Sequence, residues 1–174
     1  MLIVMAGLPG SGKSTLAACL ERKLGAAVLD KDRVRAALFP PQVLDYSADQ
    51  DDICMAAIYQ AAGAILKARP GQPVLIDGRT FLRPGQVARL MQFGASVGQS
   101  PCFIECICDD DVARQRLEAD RARGGHPAGN RTFALHQALK AAAEAIQIPR
   151  LILDTGALSL DECVRRCLDY LARC

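Results

Sequence analysis

The chain has 174 residues, 51% of them apolar and 23% charged, with a formal net charge of +2. A chain of this length buries a working core without disulfide staples, and the apolar content leaves little room for long disordered tracts. The charge is too small for a nucleic-acid footprint, which needs a clustered basic face, and no apolar stretch reaches the length of a membrane span.

Apolar runs and turn residues predict alternating strands and helices. A strand over Leu2 to Ala6 leads through a glycine-rich turn into a helix from Lys13 to about Leu24. A second strand, Ala27 to Asp30, runs into a short helix that starts at Arg33 and stops before Pro40 and Pro41. After a loop from Pro40 to Ala48, Ser47 is placed to cap a long helix. Its acidic start, Asp49 to Asp52, suits the helix dipole, and Ile53, Ala57, Ile58, Ala61 and Ile65 recur at helical spacing. Pro70 and Gly71 end it. Val74 to Asp77 reads as a buried strand ahead of a helix beginning near Pro84, and Pro101 to Cys108 as the fourth strand. A helix from Asp109 to Arg123 runs into GGHPAGNR, and a further helix, a strand over Leu151 to Asp154 and a helix over Leu160 to Leu171 complete the pattern. Five short apolar strands alternating with helices predict an α/β fold, with a parallel sheet covered on both faces and ligands at the carboxyl ends of the strands. One domain is expected over 1–174.

GLPGSGKS, Gly7 to Ser14, fits G-x-x-x-x-G-K-[ST] and stands between a predicted strand and a predicted helix, the context that motif requires. Gly7, Gly10 and Gly12 permit a backbone whose successive N–H groups turn inward around a phosphate, and the helix N-terminus adds its positive end. Lys13 is then placed to reach the β- and γ-phosphates of ATP and Ser14 to ligate Mg2+. Pro9, Ser11 and Thr15 complete the nucleotide-binding stretch. Asp77, ending VLID, is placed to hold magnesium directly or through water.

Asp30, Lys31, Asp32, Arg33 and Arg35 crowd the end of the second strand, where a carboxylate can face a phosphate acceptor. One of the two aspartates is the candidate base and the other a helix cap. Arg114, Arg116, Arg121 and Arg123 lie near or before GGHPAGNR and can swing over bound ATP as a lid spanning about 114–131. His126 reads as lid surface and His136 as helix surface. The eight cysteines point to a reducing cytoplasm, because the chain opens on a strand and not on a signal peptide. Cys102, Cys106 and Cys108 alternate onto one side of the fourth strand, as core residues or, alternatively, as a thiolate metal site.

GLPGSGKST at Gly7 to Thr15, DKDRVR at Asp30 to Arg35, VLIDGRTF at Val74 to Phe81 and the arginine-bearing helix from Asp109 together resemble the small kinases of the P-loop superfamily. That group includes the kinase domain of phage polynucleotide kinase, with zeta-toxin and chloramphenicol phosphotransferase as more distant relatives. The resemblance covers nearly the whole chain. It implies a three-layer P-loop NTPase fold with strand order 2-3-1-4-5, Asp32 as the base that activates the acceptor, Arg35 steering the acceptor or its phosphate, and Arg116 as the first lid arginine. It also implies a second lid arginine four residues after Arg116; that position is Asp120 here, and Arg121 is displaced by one.

The expected activity is transfer of the γ-phosphoryl group of ATP to a hydroxyl of a small acceptor. A polynucleotide 5′-hydroxyl kinase is the alternative, supported by Arg79 and Arg83 near the acceptor side and weakened by few aromatic stacking platforms: five Phe, three Tyr and no Trp. A nucleotide-dependent switch or ATPase with no phosphorylated product is the third reading, and the N-K-x-D sequence of guanine-reading switches is missing.

Overall fold

The computed structural model describes residues 1–124 and 128–174. β1 (Leu2–Ala6) is buried along its whole length, so its alternating side chains must be covered from both sides. Ile3 and Met5 face one layer, with Leu16 and Leu20 of α1 (Lys13–Leu24) and Val164 and Leu171 of α7 (Leu160–Leu171). Leu2, Val4 and Ala6 face the other, with Met55, Ile58 and Ala62 of α3 (Ala48–Ala68) and Val87 and Leu90 of α4 (Pro84–Ser96). Each such fully buried aliphatic side chain contributes about 1.5–3 kcal/mol, which makes the central strand the anchor of both cores.

The sheet is parallel throughout, in the order β2-β3-β1-β4-β5, with β2 at Ala27–Asp30, β3 at Val74–Asp77, β4 at Cys102–Ile107 and β5 at Leu151–Asp154. This is the order the family resemblance implies. α2 (Lys31–Leu38) starts two residues earlier than the sequence suggests, because Asp30 is its cap; the stretch expected as loop holds a 3-10 turn at Pro41–Val43. Ser47 caps α3 as expected, its hydroxyl accepting from the Gln50 N–H at 3.2 Å. α5 (Asp110–Arg123) and α6 (Phe133–Ala141) lie between β4 and β5 in the chain. Among the described residues no helix is long and apolar enough to cross a membrane.

Cys102 and Cys106 point into the layer shared by α1 and α7, where they meet Cys163 and Cys167 among aliphatic side chains. Cys108 lies past the end of β4, its thiol donating to the Gly10 carbonyl at 3.7 Å. Burial pushes the Cys106 and Cys167 thiols up to about 12.

α4 meets the start of β4 so closely that a Cβ at Gly94 would stand 2.7 Å from the Gln99 carbonyl oxygen and 2.8 Å from Pro101 Cγ. Helix propensity alone favours Gly94→Ala by about 1 kcal/mol. The contact reverses that, and the substitution is expected to destabilise the chain by about 1–3 kcal/mol, read from the urea unfolding midpoint. A stabilised variant would show that the approach is looser than described.

Candidate active site

Between β1 and α1 the chain turns through Gly7 to Gly12. The Gly7 N–H donates to the Thr80 carbonyl at 3.1 Å, fastening the turn to the segment after β3, and the Ser11 N–H closes onto the Leu8 carbonyl at 3.2 Å. Gly12 lies at φ 81, ψ 1, a left-handed conformation that a side chain resists, and a Cβ there would crowd Thr155 and Arg116. No side chain caps α1. Asp30, Ser47, Thr132 and Ser159 do cap α2, α3, α6 and α7. None caps α4 or α5 either, but the first-turn donors of α1 stand beside the glycine loop at the positive end of the helix dipole, where an anion is favoured. Lys13, 7% exposed, folds back so that its Nζ donates to the Leu8 carbonyl at 3.3 Å. Burial holds its pKa below the ordinary lysine value; Asp77 opposes the shift and the charge of Arg131 adds to it.

Two clefts flank this loop. On the β5 side a cleft of about 810 Å³ is lined by Gly12, Ser14, Thr15, Arg116, Thr155 and Leu158, among others. On the β2 side a cleft of about 580 Å³ is lined by Pro9, Asp32, Arg35, Tyr46, Asp51 and Arg79, among others. Lys13 and Arg131 line both. A group held between the clefts thus meets two cations, each within reach of both sides.

The β2-side cleft is organised by shared carboxylates. Asp30 spends its Oδ1 on the N–H groups of Asp32 (2.8 Å) and Arg33 (3.3 Å), which makes it the cap and leaves Asp32 as the aspartate that lines the cleft. Arg35 Nη1 donates to Asp32 Oδ1 at 3.2 Å, Lys31 Nζ stands 3.6 Å from the same oxygen, and Lys31 and Arg35 both pair with Asp51. The Arg35 guanidinium lies 5.3 Å from the centre of the Tyr46 ring. Tyr46 sits at φ 56, a conformation costing a non-glycine residue about 1–3 kcal/mol, and its hydroxyl accepts from the Gly129 N–H at 2.9 Å. Those two contacts hold it there.

Asp77 ends β3 at 2% exposure, and its Oδ1 has no hydrogen-bond partner among the described residues. A buried carboxylate oxygen left unpaired is costly, and a cation is the partner that would satisfy it. With the Ser14 hydroxyl at the start of α1, this oxygen donor set fits a magnesium ion, a hard cation.

The remaining expected residues fall differently. Arg116 donates from Nη1 to Thr155 Oγ1 (2.8 Å) and to the Gly10 carbonyl (3.3 Å), and from Nη2 to the Thr155 carbonyl (2.8 Å), bracing the loop against the segment after β5. Arg121 is exposed and lines neither cleft, because five residues along a helix turn it about 140° from Arg116. The position that shares the Arg116 face is Asp120, and it pairs with Arg131 at 3.9 Å. Arg131, within GGHPAGNR, lines both clefts and its charge acts on Lys13, a placement that no local pattern in the sequence reveals. Arg114 stacks over Phe133 at 4.5 Å, and Arg123 pairs with Asp120 at 2.7 Å. His136 corrects an expectation: it is 1% exposed, not on the helix surface. Its Nδ1 donates to the Pro9 carbonyl at 2.8 Å and its Nε2 lies 3.3 Å from Asp110, because the side of α6 that carries it packs onto the loop. His126 lies outside the described residues.

A glycine loop between the central strand and its helix, opened by a lysine and a hydroxyl on a parallel sheet of this order, defines a P-loop nucleotide-binding protein. The chain belongs to the AAA domain family, whose model matches residues 2–149. Among solved structures it is similar to a gluconokinase from Sinorhizobium meliloti, at 23% identity over 99% of this chain and 91% of that one, with a TM-score of 0.71. An APS kinase from Mycobacterium tuberculosis in complex with AMPPNP and APS is 25% identical over 98% of this chain and 97% of its own, with a TM-score of 0.69. Kti12 from Chaetomium thermophilum in complex with ADP-AlF3 is 19% identical over 99% and 98%, with a TM-score of 0.72. No curated protein matches in sequence.

The Asp30 carboxyl is held above its ordinary pKa by burial first and by the charge of Asp77 next, against the two N–H groups it caps. The fold therefore disfavours its ionised form. The penalty is absent below the ordinary carboxyl pKa and complete above the raised one. Asp30→Asn, which caps as well as aspartate, is expected to raise the urea midpoint at about pH 8, with the advantage shrinking as pH falls toward about 4. An advantage that does not change with pH would show that Asp30 carries no such penalty.

Proposed function

We propose that the chain is an ATP-dependent kinase that transfers the γ-phosphoryl group to a hydroxyl of a small-molecule acceptor. The observation that carries this reading is the junction of the two clefts: Lys13 and Arg131 stand where the P-loop side meets the side that holds Asp32. Gly7, Pro9, Gly10, Ser11, Gly12, Ser14 and Thr15 cradle the nucleotide phosphates through the loop and the first turn of α1. Ser14 and Asp77 hold magnesium, which, when bound, neutralises phosphate charge.

Asp32 orients the acceptor hydroxyl and takes its proton as the oxygen bonds to the γ-phosphorus; the bridging bond breaks and its electron pair leaves with ADP. Arg35 keeps Asp32 in place through its 3.2 Å hydrogen bond. Arg116 braces the loop. Arg131 takes the part expected of Arg121, compensating charge as the phosphoryl group moves, with the segment over 114–131 acting as the lid that carries it. Similarity in fold to a gluconokinase and an APS kinase supports a small acceptor. A cytoplasmic setting accords with eight unpaired thiols.

Lys13→Ala is expected to abolish Mg-ATP uptake measured by calorimetry, and with it phosphoryl transfer. Asp32→Asn is expected to keep nucleotide affinity while kcat falls roughly 10²- to 10⁴-fold, as for loss of a general base. Arg131→Ala is expected to lower kcat roughly 10²-fold or more, with Arg121→Ala close to wild type. An Asp32→Asn variant as active as wild type would dismiss the assigned base. A chain that hydrolyses ATP but phosphorylates no hydroxyl compound would dismiss the kinase.

A further inference from the structure

Arg79 follows β3 on the floor of the β2-side cleft and is 8% exposed. A guanidinium carries five N–H donors. Among the described residues Arg79 places one hydrogen bond, from Nη2 to Asp52 Oδ1 at 3.0 Å, and its Nε has no partner. Asp52 is itself divided, since Arg89 Nη1 holds its other oxygen at 2.6 Å. Arg35, 3% exposed in the same cleft, also has an unpartnered Nε, and its share of Asp51 is contested by Lys31. The charges of both arginines reach Lys31.

With Lys13 and Arg131 left to the nucleotide, the cleft still carries Lys31, Arg35, Arg79, Arg83 and Arg89 against Asp32, Asp51, Asp52 and Glu144. One of those carboxylates, Asp32, becomes neutral as it accepts the hydroxyl proton. Two buried guanidiniums that share their carboxylates with Arg89 and Lys31 and keep spare donors make the cleft favourable to a further anion.

We infer that the acceptor carries an anionic group, a carboxylate, sulfate or phosphate, beside its reacting hydroxyl, and that Arg79 is the specificity-determining residue that holds it. The inference rests on the kinase reading for the word acceptor, while the anion seat is a property of the cleft alone. A neutral polyol or sugar can accept hydrogen bonds from Arg79 but brings no negative charge to pair with it. An anionic small molecule satisfies it and fits a cleft of about 580 Å³.

The test uses the whole chain with Mg-AMPPNP saturating the P-loop, so that the loop cannot take the probe. Inorganic sulfate, titrated by calorimetry, is expected to bind wild type and to bind Arg79→Gln roughly tenfold or more weakly, with AMPPNP affinity unchanged. Acceptor assays then compare matched pairs: glycerate with glycerol, glucose 6-phosphate with glucose, and a 5′-hydroxyl oligonucleotide. Only anionic small molecules are expected to be consumed. Arg79→Gln should raise KM roughly 10- to 100-fold with kcat nearly unchanged, and Arg79→Lys should recover part of the loss. Sulfate binding indifferent to Arg79→Gln, a neutral partner consumed as well as its anionic twin, or phosphorylation of the oligonucleotide alone would each overturn the inference. If sulfate binds through Arg79 but no hydroxyl compound is phosphorylated, the anion seat stands and the kinase reading falls.

Discussion

Lys13 is a buried ammonium that, among the described residues, places a single hydrogen bond, on the carbonyl of Leu8 in its own loop. Everything around it follows from keeping that charge in place. Asp77 supplies the opposing charge from the end of β3, and Arg131 makes its position less comfortable from the other side. The uncapped start of α1 adds a second unmet electrostatic demand at the same point. The loop keeps its shape because β1, buried on both faces, fixes where it begins, and the Gly7 bond to Thr80 and the Arg116 bonds to Gly10 and Thr155 fix where it runs.

Parallel pairing brings the ends of β1, β2, β3 and β5 to one edge of the sheet, and each delivers one part of the site. β1 leads into the loop, β2 into the Asp30 cap and the Asp32 carboxylate, β3 into Asp77 and Arg79, and β5 into Thr155. The division into two clefts is a consequence of this order, since β2 and β5 are the outer strands on opposite sides of β1. Only residues close to the loop, or carried across it by a connecting segment, can line both.

Legibility in the sequence tracked the distance over which each feature is decided. The loop, its flanking elements, the Ser47 cap and the strand count depend on a few neighbouring residues and could be read with their boundaries nearly intact. The first residues of α2 could not, because choosing between Asp30 and Asp32 as the cap requires seeing which carboxylate turns back onto the chain. His136 was misplaced for the same reason at longer range: its partner Pro9 is 127 positions away, and nothing in the composition of α6 reveals that one of its faces rests on the loop. The placement of Arg131 hid behind a family pattern. An arginine was expected on α5 one turn after Arg116, and the helix offers Asp120 there, which pairs with an arginine arriving from beyond the helix.

The layer between the sheet and α7 has a quieter property. Four of its core side chains, Cys102, Cys106, Cys163 and Cys167, are thiols where aliphatic residues would serve equally well for packing. Burial keeps Cys106 and Cys167 protonated far above neutral pH, so they are poor nucleophiles and out of reach of electrophiles for as long as α7 stays seated. Alkylation of those sulfurs would therefore keep time with the parting of helix and sheet, giving the molecule a chemical clock for its own opening.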